Sequence, residues 1–134
     1  MNILKTVQMG QVGIHSVLDT SMRPGLRKAL ESQLRELDAI ESEVHVIASQ
    51  RGWELPELDP AVRFFSDRKS RMRLTHGNSD SKIADMMIQR NTKSMIKGLK
   101  DLHKYPRQDD RICGISQKLI DCETANIRQM QTFL

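Results

Sequence analysis

The sequence predicts an all-α protein: one domain over residues 1–134, folded as an antiparallel four-helix bundle. Three observations point there. Apolar residues recur at three- and four-residue spacing through four long segments, and nowhere do they alternate with polar ones as in a half-buried strand. Hydrophobic content is 38% with only 4% aromatic and eight Met, so the core is aliphatic and sulfur-filled, which suits interlocking helices better than a sheet sandwich. Clusters of turn residues, "SMRPG", "WELPELDP", "HGNSDS" and "YPRQDD", separate the segments. The 134-residue length is that of an ordinary single domain able to bury a core unaided.

The first predicted helix runs from Ile3 to Thr20, with Ile3, Val7, Gly10, Ile14, Val17 and Leu18 as its apolar stripe. Gly10 and Gly13 on or beside that stripe weaken the helix but let a neighbour approach closely. Met9 and Val12 point the other way, towards a second packed surface. Pro24 opens the second helix, which continues to Arg51 on a stripe of Leu26, Leu30, Leu34, Leu37, Ile40, Val44, Ile47 and Ala48, with Gly52 as its C-terminal cap. Asp59-Pro60 then starts a short third helix, Ala61 to Thr75, with Leu58, Ala61, Phe65 and Met72 on its apolar side. Ser79 or Asp80 caps a fourth helix from Lys82 to Lys104, whose inner face is Ile83, Ala84, Met87, Asn91, Met95, Gly98 and Leu102. The fifth, Arg111 to Phe133, places Ile112, Ile115, Leu119, Cys122, Met130 and Phe133 inward, and Glu123 and Asn126 on the same face. Four of the five are long enough for a bundle. A hairpin, a crossover carrying a short extra helix, and a second hairpin is the ferritin-like connectivity.

Charge is concentrated in one place. Net charge is +4, and Pro60 to Gly77 holds Arg63, Arg68, Lys69, Arg71 and Arg73 against the single acid Asp67, so the rest of the chain is neutral overall. Cys113 and Cys122 lie nine apart on one predicted helix, roughly 13 Å along its axis at about 1.5 Å per residue, too far to bridge. Two free thiols suit a reducing cytoplasm. No segment approaches the roughly 20 apolar residues of a membrane span, and no signal peptide is read at the N-terminus.

The stretch "DSKIADMMIQRNTKSMIKGLKDLHKY", followed by "QKLIDCETANIRQMQTFL", resembles an uncharacterised family of short bacterial four-helix-bundle proteins described as ferritin-like. The resemblance covers most of the chain, is strongest from Ser79 to Leu134, and implies a fold without an activity. Ferritin-like di-metal proteins set one inward Glu on each of two helices and Glu-x-x-His on each of the other two, because residues three apart share a face. Against that pattern, Glu41 is followed three residues on by Val44 and Glu123 by Asn126, where histidines belong. Asn91 stands where a Glu is expected, and the first helix turns Gly10 and Ile14 inward, with His15 and Asp19 towards its flank. Two carboxylates out of six ligands make a degenerate di-metal site. Glu41, Asn91, Glu123 and Asn126 are therefore expected to form a buried polar network without a metal or cofactor.

Other chemistry is sparse. Of His15, His45, His76 and His103, His45 stands four residues after Glu41 and could share its flank, a weak signal beside the plainer reading of a surface histidine; His-x-x-x-His pairs, phosphate loops, Cys-x-x-Cys motifs and nucleophile elbows are all absent. The basic helix 61–75 is a candidate for weak nucleic-acid binding, but the few aromatics and modest net charge weigh against it. The expectation is a small cytoplasmic helical-bundle interaction or assembly protein without enzymatic activity. Homo-oligomerisation is expected through the outward Met9 and Val12. The alternatives are a di-metal carboxylate protein using Glu41 and Glu123, and nucleic-acid binding through Arg63, Arg68, Lys69, Arg71 and Arg73.

Overall fold

The computed structural model describes residues 3–20, 22–55, 79–104 and 110–134. Among these residues there are four helices and no strand: α1 (Ile3–Leu18), α2 (Pro24–Arg51), α3 (Ser79–Lys104) and α4 (Asp110–Gln131). They correspond to the first, second, fourth and fifth helices expected from the sequence. The short helix expected at 61–75, with its five basic residues, lies outside the described residues.

The ends have local causes. α1 stops at Leu18, two residues before the expected Thr20, and Arg27 of α2 caps this end by donating to the carbonyl oxygens of Leu18 at 2.8 Å and Thr20 at 3.1 Å. A guanidinium there satisfies acceptors that the last turn of a helix leaves open. Pro24 opens α2, as expected of a residue with no N–H to lose. Gly52 ends it in the left-handed region at φ 66°, where a side chain would strain the backbone, and the N–H of Trp53 reaches the Ala48 carbonyl at 2.9 Å. α3 opens at Ser79, so Asp80 sits in its first turn instead of capping it, with its charge near the positive end of the helix.

α1 packs on α2 and α3 packs on α4, the latter over the larger contact; α2 also meets α4, and α1 meets α3. Small residues set the closest approaches. A Cβ on Gly10 would lie 3.0 Å from Leu37 Cδ1, and one on Gly98 would lie 3.1 Å from Ile120 Cγ1. The core holds Val7, Ile14, Val17, Leu26, Leu30, Leu37, Ile40, Ile47, Ile83, Ala84, Met87, Ile112, Ile115, Leu119 and Met130, all read inward from the sequence, together with Ala29 and Met86, which were not. Two expectations change. Val12 is only 6% exposed and belongs to the interior, because α1 packs on both α2 and α3 and so buries a wider arc than one stripe. Met9 is half-buried. In the second half of α3, Asn91, Met95, Gly98 and Leu102 are only half-buried.

The α2–α4 seam is largely polar. Gln33 Nε2 donates to Gln129 Oε1 at 3.0 Å, Lys118 pairs with Glu43, and Arg111 Nη1 donates to Gln50 Oε1 at 2.7 Å. The Lys118–Glu43 pair is half-exposed and contributes less than about 1 kcal/mol. Gln33 is itself buried, and its amide oxygen has no partner among the described residues. This seam orients the two helices more than it holds them together.

Candidate functional site

Glu123 is the buried carboxylate in the middle of α4. The i, i+3, i+4, i+7 face formed by Ser116, Leu119, Ile120 and Glu123 meets Ser94, Gly98, Asp101 and Leu102 of α3 and Ile3 and Thr6 of α1 around a cavity of about 30 Å³. That is room enough for ordered water. Glu123 is 4% exposed, and its Oε2 atom has no hydrogen-bond partner among the described residues. Burial pushes its carboxyl up to about 8, because desolvation penalises the charged form. At neutral pH the acid is therefore mostly protonated. A neutral carboxylic acid over a small cavity is far cheaper to bury than a carboxylate.

Asn126 is buried one turn further along but faces the α2 side. Its Nδ2 lies 3.6 Å from Cys122 Sγ, and the Cys122 thiol donates to Glu36 Oε2 at 2.8 Å. Burial first, then the bond to Glu36 and the Glu36 charge, push the Cys122 thiol up to about 12, against a smaller opposing effect of Asn126. A thiol is nucleophilic only as thiolate, so Cys122 is inert at neutral pH. We expect Cys122 in the folded protein to resist iodoacetamide at pH 8 and to react once denatured, as read by peptide mass spectrometry. Rapid native labelling would show that the thiol is not held against Glu36.

The four polar residues expected to form one network share no hydrogen bond among the described residues. Asn91 has its amide nitrogen buried and without a partner among the same residues, and Glu41 is half-exposed. The α4-facing edge of α2 passes through Glu36, Glu43 and Gln50 at seven-residue spacing, and Glu41 lies off it. The link from α2 to the middle of α4 therefore runs Glu36–Cys122–Asn126. Sequence reasoning missed Glu36 because it reads as a surface residue; Cys122 on the apolar stripe was the available signal. Gln33, between Leu30 and Leu37 at the same spacing, was another.

Metal chemistry finds few donors here. His15, His45 and His103 are exposed, His76 lies outside the described residues, and among the described residues no three of His, Cys, Asp and Glu converge on a point. No helix among the described residues is long and apolar enough to cross a membrane. The chain matches no known protein family, no curated protein and no solved structure.

Proposed function

We propose that this chain is a small cytoplasmic interaction or assembly protein on a ferritin-like antiparallel bundle whose di-metal site is degenerate. One observation carries this reading: the only buried carboxylate of α4 faces a small cavity whose lining among the described residues includes neither a histidine nor Glu41. The antiparallel order is supported by the contacts. Along α2 the pairings Gln33–Gln129, Glu43–Lys118 and Gln50–Arg111 climb in number on one helix as they fall on the other. Gly98 against Ile120 and Thr124 against Met95 follow the same rule between α3 and α4.

Self-association remains part of this reading, with a different surface. Val12 is used inside the fold, whereas Val46, 50% exposed, borders a groove with Ile47, Gly114 and Ile115, rimmed by Ser42, Glu43 and Arg111, between the end of α2 and the start of α4. A second reading, a di-metal carboxylate protein using Glu41 and Glu123, is favoured by the unpartnered Oε2 of Glu123. Metal analysis of protein purified without chelators separates the two. We expect iron, manganese and zinc well below one equivalent per chain, with light scattering giving more than one copy per particle. A full equivalent of metal, lost on Glu123→Gln, would replace the first reading with the second.

A further inference from the structure

We propose that the outward face of the second half of α3 docks on an anionic phospholipid surface. This gives the binding role above a partner class. Ile96 and Leu99 are 45% and 37% exposed, among the few large apolar side chains left open on the described surface. They lie three residues apart, one turn of the same face, with the exposed His103 one turn further. Beside them run Lys93, Lys97 and Lys100, spaced four and three apart and all exposed. None of the three makes an ion pair or side-chain hydrogen bond among the described residues. The acid nearest in sequence, Asp101, lines the cavity by Glu123 and makes no ion pair with these lysines.

The kind of partner follows from this chemistry. Lysine is depleted in the desolvated centres of protein–protein interfaces, because its compact ammonium is strongly hydrated. At a membrane surface the same side chain lays its stem along the apolar boundary and keeps its charge among the headgroups. An exposed apolar strip edged by lysines fits that plane, with Ile96 and Leu99 entering the headgroup boundary. A duplex would use the lysines but gains nothing from the aliphatic pair, and no Phe, Tyr, Trp or Arg side chain stands among these six; His103 is the one ring on this face.

The test is co-sedimentation of the full chain with phosphatidylcholine vesicles, with and without phosphatidylserine, at low ionic strength. We expect partition onto the phosphatidylserine vesicles alone. Lys93→Gln/Lys97→Gln/Lys100→Gln should cut it by roughly a hundredfold, at about 1 kcal/mol per lysine near an anionic surface. Ile96→Ser/Leu99→Ser should cut it severalfold with all three lysines in place. Circular dichroism confirms that both variants, confined to exposed positions, keep their helix content. No partition of the parent chain, or partition that the triple lysine variant retains, overturns the proposal. So does duplex binding that needs the lysines, ignores Ile96 and Leu99, and occurs without vesicle binding. A metal-poor, self-associated chain that ignores vesicles overturns this inference alone and leaves the assembly reading standing.

Discussion

Leu30→Ala is expected to lower the free energy of unfolding by about 3 kcal/mol, within the roughly 2–5 kcal/mol range of buried leucine truncations. Leu30 is wholly buried on α2 and belongs to the one core cluster that all four helices share. Alanine keeps the helix and even favours it, so any loss reports lost burial and the cavity left behind. Leu34, one turn on, is only partly buried against the same cluster, and Leu34→Ala should cost visibly less. Urea denaturation of both variants measures the difference, with an unchanged slope showing that the same surface unfolds. A cost for Leu30→Ala no greater than for Leu34→Ala would mean that α2 does not turn Leu30 into the bundle.

The inward positions of α2 and α4 were legible because each stripe repeats over many turns and each helix buries one dominant face. Leu26, Leu30, Leu37, Ile40 and Ile47 illustrate this, as do Ile112, Ile115, Leu119 and Met130. Val12 was misplaced because periodicity reports one stripe, whereas α1 packs against two neighbours and buries two. Asn91, Met95 and Leu102 continue the α3 stripe in sequence but come out half-buried. Helical spacing states which residues share a face, and burial depends on how far a neighbour extends along that face. For the candidate site, the burial of Glu123 and Asn126 could be read from spacing, since both interrupt an apolar stripe. Their partners could not. Glu36 meets Cys122 across 86 positions, and only the crossing of α2 and α4 brings them together. Glu41, on the inner edge by pattern, falls off the α4-facing edge.

Glu123→Gln is expected to fold normally, to match or exceed the parent in stability at neutral pH, and to exceed it by a few kcal/mol above pH 8. The folded carboxyl is raised to about 8 from an ordinary value of 4.5. A raised acid binds its proton more tightly folded than unfolded, so the folded state holds more protons between those two values. Stability of the parent is therefore highest below the unfolded value and declines as pH rises through the folded one. A tenfold difference in proton affinity between folded and unfolded states is worth about 1.4 kcal/mol, which puts the full decline at a few kcal/mol. Burial alone raises this carboxyl; no charge from Glu41 adds to it, in contrast to the mutual repulsion that two inward carboxylates would exert. Cys122, one position away, stays protonated through this range. Glutamine keeps the length and hydrogen-bonding capacity of the acid and carries no proton to lose. The difference between the two proteins should widen from pH 5 to pH 9, which denaturation at several pH values resolves. If instead Glu123→Gln loses several kcal/mol at neutral pH, the carboxylate is charged and paired with a cation, as when one partner of a buried ion pair is removed. That result would return the bundle to the class of metal-holding proteins.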